Sequence, residues 1–255
     1  MNDARLVLHQ SRYDIRIFVR DPAATFFTLA LPVVFLVLFV TIFGSQTLDS
    51  GVETTTFFVP GIVALAMVSA TFVNLSISLT QQRESGVLKR VRGTPLPPWV
   101  FVAGRVVTAV VVGLAMAVVL VAIGRVLYGV AVPGIPLVGF VLTLALGAAT
   151  FSALGIAVTA AIPTEAAASA VANAVSLPLF FISGIFVPAE SIPDWLLSVA
   201  DVFPLKPFAD ALFNAFDPAT TGLGLAWADL AVVAVWGLAA ALLAARTFRW
   251  TPRRG

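Results

Sequence analysis

Long apolar runs, separated by short hydrophilic segments, form the main pattern along this chain. A helix that crosses a membrane needs about 20 mostly apolar residues, because the hydrocarbon core is about 30 Å thick. Six runs meet that length and predict transmembrane helices at residues 24–43, 57–79, 99–125, 135–160, 166–187 and 226–246. The predicted fold class is therefore an all-α membrane protein, with residues 1–255 forming a single transmembrane domain.

Basic residues collect in the hydrophilic segments and predict the orientation of these helices. Thirteen of the 15 Lys and Arg residues lie in or beside three segments, which are the N-terminus, residues 80–98 and the C-terminus. An even number of predicted helices separates each segment from the next, so all three lie on one side of the membrane. Since short loops rich in Lys and Arg stay in the cytoplasm, both termini are predicted to be cytoplasmic.

The composition supports a membrane protein and excludes several other classes. The chain is 60% hydrophobic and 11% charged, whereas a soluble domain usually carries about 25% charged residues. Its arginines flank the apolar runs instead of forming one basic face, which argues against a nucleic-acid partner. With no Cys, one His and no H-E-x-x-H sequence, the chain has no recognisable catalytic or metal-binding constellation.

Residues 1–22 are too charged to span and instead predict an amphipathic interfacial helix. One basic stripe at helical spacing contains Arg5, His9, Arg12, Arg16 and Arg20. The apolar arc beside that stripe contains Val7, Leu8, Ile15, Phe18 and Val19. Such a helix places its arginines near anionic headgroups and leaves another face for a protein partner. The alternative is that these are flanking charges that only set the orientation.

The hydrophilic segment at residues 80–98 predicts a cytoplasmic extension of the second helix that ends in a Gly- and Pro-rich stretch. Its apolar residues Val87, Leu88 and Val91 share one helical face and are surrounded by charges. A protein that only spans the membrane does not need this face, whereas a socket on another protein would explain it. The alternative is a charged loop that only sets the topology.

Three motifs together resemble the ABC-2 type transporter permeases. They are Arg20-Asp21-Pro22 before the first span, Arg83-Glu84-Ser85-Gly86-Val87-Leu88 with Arg92-Gly93-Thr94-Pro95-Leu96 in the cytoplasmic segment, and residues 177–188 followed by Ile192-Pro193-Asp194-Trp195-Leu196 and Phe203-Pro204-Leu205. The motifs lie in the order and at the spacing of that family, and the resemblance covers essentially the whole chain. Within the family, the chain is most similar to daunorubicin-resistance and multidrug-export permeases and to the related lipo-oligosaccharide exporters.

The resemblance implies an exporter that is driven by ATP on a separate subunit. The chain agrees, because neither of its lysines, Lys89 and Lys206, lies in a G-x-x-x-x-G-K-[ST] sequence. ATP and Mg²⁺ would bind two copies of a nucleotide-binding ATPase subunit, and this chain would bind no cofactor directly. A second permease, identical or paralogous, would complete the transporter in a bacterial plasma membrane. The residues implied in coupling to the ATPase are Arg12, Arg16, Arg83, Glu84, Ser85, Gly86, Val87, Leu88, Lys89 and Arg90.

The resemblance also implies an external helical hairpin at residues 188–216, which re-enters the outer leaflet between the fifth and sixth helices. The aromatic residues that suit this depth are Trp195, Phe203, Phe208, Phe213 and Phe216. The alternative is an interfacial helix that only anchors the chain. Lys206 stands where the family usually has Thr or Ser.

Polar residues within the second and fifth apolar runs indicate a substrate path. They are the residues least expected to face lipid, namely Asn74, Ser76, Ser78, Asn173 and Ser176, to which the apolar wall adds Phe180. Abundant Phe and Val would give a cavity suited to an amphipathic molecule. The alternative is that these polar side chains only form hydrogen bonds between helices.

Other functions fit the chain less well. An ion-coupled secondary transporter needs a carboxylate or His near the middle of the membrane. Glu165, Asp229 and His9 all lie near the ends of the predicted helices or outside them. An intramembrane enzyme lacks its usual nucleophile or metal set, and the motifs argue against a purely structural membrane protein.

Overall fold

The computed structural model describes residues 3–20, 22–43, 53–94, 96–187 and 191–252, and helices dominate that part of the chain. The helices are α1 (Asp3–Arg20), α2 (Pro22–Phe43), α3 (Thr54–Val68), a π-helical turn (Ser69–Val73), α4 (Asn74–Glu84), α5 (Val87–Arg92), α6 (Pro98–Tyr128), α7 (Leu137–Val158), α8 (Glu165–Ile182), α9 (Asp194–Val202), α10 (Leu205–Phe216) and α11 (Trp227–Thr247). The predicted all-helical fold class is confirmed. Most of the predicted external loop at residues 44–56 lies outside the described residues.

Five helical stretches in the described part of the chain are long and apolar enough to cross a membrane. They are Thr54–Glu84, Trp99–Tyr128, Leu137–Val158, Glu165–Ile182 and Trp227–Thr247. Helix α2 adds a shorter apolar stretch, Ala30–Phe43. These lengths and compositions are those of a multi-pass membrane protein.

Helix α3 lies at the centre of the structure and is buried along almost its whole length. It packs against α2, α6 and α10. Two glycines of α6 allow the close approach, because a Cβ at Gly124 would lie 2.6 Å from Val59 and a Cβ at Gly113 would meet the Met67 sulfur. Small residues that let helix backbones approach are the usual basis of packing in membranes. Helix α3 is thus the element around which the other helices are arranged.

Helix α7 packs along α11, and the contact is made by a hydroxyl on α7 and a glycine on α11. The Thr150 hydroxyl donates a 3.1 Å hydrogen bond to the carbonyl of Val233. A Cβ at Gly237 would lie 2.5 Å from the Thr150 oxygen, so only glycine fits there. The last helix is therefore attached to the bundle through α7.

The segment predicted to be external forms two helices, α9 and α10, that differ in burial. Helix α10 packs against α3, α7 and α11, with Phe208 and Leu212 fully buried. The Phe208 ring covers Gly147 and lies edge-on to Phe151 at 5.2 Å between centroids. Helix α9 leaves Trp195 largely exposed. Helix α10 is consequently part of the core and does more than anchor the chain.

The ends of α8 have a local explanation in the sequence. Thr164 caps the start of this helix, because its hydroxyl accepts a 3.2 Å hydrogen bond from the Ala167 N–H. The helix ends at Ile182, before the predicted end at residue 187. Gly184 follows with φ of +80°, a left-handed conformation that terminates the helix and that other residues rarely adopt.

Candidate functional site

A cavity of about 830 Å³ opens between α1, α2, α6, α8 and the continuous stretch α3–α4. Its lining residues on α3–α4 run from Leu65 to Gln81, a distance of about 24 Å at 1.5 Å per residue. The π-helical turn Ser69–Val73 lies in the middle of this wall, and such turns often occur at functional sites. The cavity therefore extends along about 24 Å of this helical stretch.

Four of the six predicted substrate-path residues line this cavity, namely Asn74, Ser78, Asn173 and Phe180. The other two do not. Ser76 is fully buried, and its hydroxyl donates a 2.9 Å hydrogen bond to the Val73 carbonyl. Ser176 is also buried, and its hydroxyl has no hydrogen-bond partner in the described part of the chain. Helical periodicity explains the split, because Ser76 and Ser176 lie on the faces turned into the helix bundle.

The cavity also contains charged and polar residues that the sequence did not single out. They come from α1, α4 and α6 and are Asp14, Gln81, Arg105 and Thr108. Their signal in the sequence is weak, because an isolated Asp on an amphipathic helix and an Arg near a helix end usually face water. Only the packing of α1 against α6 brings Asp14 and Arg105 together.

Asp14 and Arg105 form a loose ion pair at one end of the cavity. The Arg105 Nε lies 3.6 Å from one Asp14 carboxylate oxygen, and the Gln10 amide donates to both carboxylate oxygens, at 3.2 Å and 3.3 Å. The guanidinium also lies over the Phe101 ring, 5.6 Å from its centroid. Burial raises the pKa of the Asp14 carboxyl, while the charge of Arg105 and the bond from Gln10 act in the opposite direction.

Helix α1 contacts α6 through small and polar residues. The Ser11 hydroxyl donates to the Gly104 carbonyl at 3.3 Å, and the Thr108 hydroxyl approaches the Ser11 carbonyl at 3.5 Å. A Cβ at Gly104 would lie 2.6 Å from the Gln10 side chain. The buried face of α1 thus centres on Ser11 and Asp14. The predicted apolar arc is only partly buried, because Leu8 and Val19 are exposed.

Arg83, implied in coupling to the ATPase, lies inside the protein with its side chain only 2% exposed. Its two terminal nitrogens each donate a 2.7 Å hydrogen bond, one to the Thr159 carbonyl and one to the Ile162 carbonyl. Its Nε pairs with Glu84 at 2.6 Å. Arg83 therefore attaches the end of α4 to the turn between α7 and α8, and it has no surface to offer a partner. Its implied part in coupling to the ATPase stays a prediction, and it would act from inside the protein.

The apolar face of α5 is also largely used within the protein. Leu88 is fully buried in a cluster that includes Leu79, Phe101 and Ala244, and Val91 packs against that cluster. The face predicted to fit a socket on another protein is thus covered by α4, α6 and α11. The first turns of α6 lie beside α5 and provide the apolar contact that the sequence pattern requires, and the implied part of Leu88 in coupling to the ATPase stays a prediction.

The other residues implied in coupling are exposed or partly buried. Lys89, Arg90 and Ser85 are exposed, as are Arg12 and Arg16 on α1, whereas Glu84, Gly86 and Val87 are partly buried. Both groups lie beside the first turns of α6, since Leu88 packs near Phe101 and Ser11 bonds to Gly104. Two exposed basic surfaces consequently border the same end of the bundle.

Lys206, the departure from the family pattern, connects α9 and α10. Its ammonium lies 2.7 Å from Asp201 at the end of α9 and 2.8 Å from Asp210 on α10. The Trp236 indole N–H adds a 2.7 Å bond to the Val202 carbonyl. No group of three or more His, Cys, Asp or Glu in the described ranges is arranged to hold a metal ion.

Comparison with known proteins agrees with the motifs. The model of the ABC-2 type transporter family matches residues 7–216. The daunorubicin resistance ABC transporter permease protein DrrB1 of Streptomyces coeruleorubidus is 32% identical over 203 residues, which cover 76% of this chain and 69% of that protein. The probable multidrug ABC transporter permease YbhR of Escherichia coli (strain K12) is 26% identical over 154 residues, 60% of this chain. The match spans only 42% of the length of YbhR.

Proposed function

Because the chain belongs to the ABC-2 type transporter family, we propose that it is the membrane-spanning permease subunit of an ATP-binding cassette exporter. Its substrate is a lipophilic or amphipathic molecule, such as a drug, a lipid or a glycolipid. The molecule leaves from the cytoplasm or from the inner leaflet. The printed names of the relatives, one a multidrug permease and one a daunorubicin-resistance permease, support this substrate class.

The observation that carries the proposal is the cavity between α1, α2, α4, α6 and α8. Its walls combine aromatic rings, such as Phe35, Phe180 and Phe186, with a few polar side chains, such as Asn74 and Asn173. Binding sites for small molecules are typically of this size and have mostly apolar walls with few polar groups. A cavity of this kind favours a molecule with a large apolar part and a small polar part.

The membrane topology proposed for this permease has six crossings with both termini in the cytoplasm of a bacterium. Helix α2 is the first crossing, and α1 lies at the cytoplasmic interface within residues 1–22. Residues 80–98 form the coupling segment. The hairpin at residues 188–216, which contains α9 and α10, re-enters the membrane from the outer side. The exposure of Trp195 on α9 is consistent with a place in the outer interface.

The proposed energy source is a separate ATPase, two copies of which bind ATP and Mg²⁺. Exposed basic residues near the start of α6, namely Lys89, Arg90, Arg12 and Arg16, support an acidic docking partner on the cytoplasmic side. Movement of α5 would reach the bundle through Arg83, whose bonds connect α4 to the α7–α8 turn. A second permease, identical or paralogous, completes the transporter. The substrate then biases the exchange between two packings through its different affinity for each.

Reconstitution in proteoliposomes tests this function directly. The permease is co-purified with the ATPase encoded beside it, and the movement of daunorubicin and of a fluorescent phospholipid is measured with and without ATP. We expect movement that needs ATP and that stops when the ATP-binding lysine of the ATPase is replaced. Movement driven by a proton gradient without ATP would instead support an ion-coupled secondary transporter and would contradict the proposal.

A further inference from the structure

The side chains of Asp14 and Arg105 both line the cavity, and their ion pair does not satisfy all of the hydrogen-bond donors of Arg105. The Arg105 Nε is buried and donates no hydrogen bond within the described part of the chain, and its distance of 3.6 Å from Asp14 is too long for one. A guanidinium carries five N–H donors in a fork that matches phosphate and carboxylate oxygens. A buried donor without a partner is unfavourable. Arg105 therefore has capacity to bind an anionic group inside the cavity.

The position of Arg105 along α6 places the charged end of the cavity near the lipid headgroups. The apolar stretch Trp99–Tyr128 contains 30 residues, which corresponds to about 45 Å of helix and exceeds a hydrocarbon core of about 30 Å. Arg105 and Arg125 lie 20 residues, or about 30 Å, apart along the helix, so a hydrocarbon core between these two charges leaves the first turns, up to Arg105, outside it. Arg105 lies in those turns, where α1 crosses α6 at Gly104 and Thr108. A lipid headgroup bound at Arg105 would therefore lie at the same depth as the headgroups of the surrounding bilayer.

The rest of the cavity offers an apolar wall that continues away from the two charges. Phe35 and Phe186 lie edge-on with 6.1 Å between ring centroids, and Phe181 lies 5.4 Å from Phe186. These rings line the cavity together with Leu31, and Phe186 stacks on Phe39, which stacks on Phe58 near the start of α3. The wall accepts hydrocarbon or aromatic tails, because apolar surface gains free energy when it is removed from water.

The balance of charge decides which headgroup fits. A purely anionic headgroup that bound Arg105 would draw it away from Asp14 and leave a buried carboxylate with only Gln10 as its partner. A purely cationic headgroup would leave the guanidinium without its partner in the same way. Breaking one half of a buried pair is costly, because it leaves an uncompensated charge. A headgroup that carries both charges satisfies both residues.

We propose that the cavity binds a zwitterionic amphiphile, with its phosphate or carboxylate on Arg105, its ammonium on Asp14 and its tails against the aromatic wall. This inference rests on the proposed function, since it names the substrate class of the same cavity. It differs from that function in what it requires. The cavity must discriminate among headgroups, whereas an exporter of lipophilic molecules in general need not.

Competition between lipids with identical tails tests the selectivity. The purified permease in detergent is mixed with equal amounts of dioctanoyl phosphatidylethanolamine and dioctanoyl phosphatidylglycerol, and the bound lipids are counted by native mass spectrometry. We expect the zwitterionic lipid to be preferred about tenfold or more, as for a charged hydrogen bond that is kept or lost. Glycerophosphoethanolamine, the headgroup without tails, should bind at least tenfold more weakly, because it lacks the apolar contacts.

Variants then assign the preference to the two residues. Asp14→Asn removes the carboxylate and should shift the preference towards phosphatidylglycerol, and Arg105→Gln should abolish the preference for either phospholipid over a dialkylammonium amphiphile. Arg125→Gln is the matched control, since Arg125 lies exposed at the other end of α6. The ratio of two competing lipids does not depend on how much protein is folded. Unchanged ratios in both cavity variants would overturn the proposal.

Transport assays separate this inference from the proposed function. Selective binding that depends on Asp14 and Arg105, together with no ATP-driven movement, would contradict the exporter and leave the lipid site intact. ATP-driven movement of daunorubicin, together with equal binding of all three headgroups, would support the exporter and overturn the zwitterionic site.

Discussion

Helices α5 and α10 are both short helices outside the apolar spans, yet they are held in different ways. Helix α10 buries most of its 12 residues, with Phe208 and Leu212 inaccessible. Helix α5 has six residues, of which only Leu88 is fully buried, and the neighbouring contact is the set of polar bonds made by Arg83. Neither length forms a stable helix alone in water. Helix α10 is thus fixed by packing, whereas α5 can move at the cost of few contacts, which suits a coupling element.

Removal of the Phe208 side chain should have the largest effect on stability. Phe208→Ala opens a cavity against Gly147 and Phe151, and the expected loss in the free energy of unfolding is about 3–5 kcal/mol. Thermal unfolding of the detergent-solubilised protein measures it. Trp195→Ala on the exposed α9 is the control and should change the midpoint little. Equal losses in both variants would contradict the assignment of α10 to the core.

Substitution of Arg83 should have the next largest effect, and it should also alter coupling. Arg83→Met removes the donor to the Thr159 and Ile162 carbonyls and the ion pair with Glu84, and the expected destabilisation is about 2–4 kcal/mol. In the complex, ATP hydrolysis should continue while transport falls. Arg90→Met, which changes an exposed arginine, should leave stability unchanged. If the two variants unfold at the same temperature, the internal role of Arg83 is wrong.

A smaller effect is expected at the glycine between α4 and α5. Gly86 has φ of +73°, and a Cβ there would meet no atom within 4 Å, so Gly86→Ala should cost only the backbone strain of about 1 kcal/mol. Gly93→Ala, with φ of −83°, is the matched control and should be near neutral. Gly86→Pro also removes the N–H that bonds to Arg83, and it should uncouple ATP hydrolysis from transport without preventing membrane insertion. Full transport by Gly86→Pro would remove the coupling role of this turn.

The smallest effect is expected for Lys206, where the bonds are polar and partly exposed. Lys206→Met removes the ion pair with Asp201 between α9 and α10 and the pair with Asp210 within α10, and we expect a loss of about 1 kcal/mol or less, reduced further by salt. Thermal unfolding at low and high ionic strength measures this loss of stability and its dependence on salt. The control is Lys89→Met on α5, for which the change in unfolding temperature should not depend on salt. A loss as large as that of Phe208→Ala would mean that charge, and not packing, holds the hairpin.

The two helices also show how far the sequence could predict the site. Amphipathic spacing indicated that Leu88 needs an apolar contact, but it could not say whether that contact comes from the same chain. The same limit applies to Arg83, Lys89 and Arg90, which look alike in the sequence and differ fully in burial. Periodicity describes one helix at a time. The partner of a side chain depends on another helix, and for Arg83 that partner lies 76 residues further along the chain.

The sequence by itself determined the helical membrane fold, the membership of the family and the predicted side for each basic segment. These depend on apolar length, local motifs and charge, which can be read without knowing any contact. Only the tertiary structure decided that Asp14 meets Arg105, that Ser76 and Ser176 turn away from the cavity, and that Arg83 is internal. Each of these results from how two helices approach one another. That approach depends on small residues such as Gly104 and on the full three-dimensional packing.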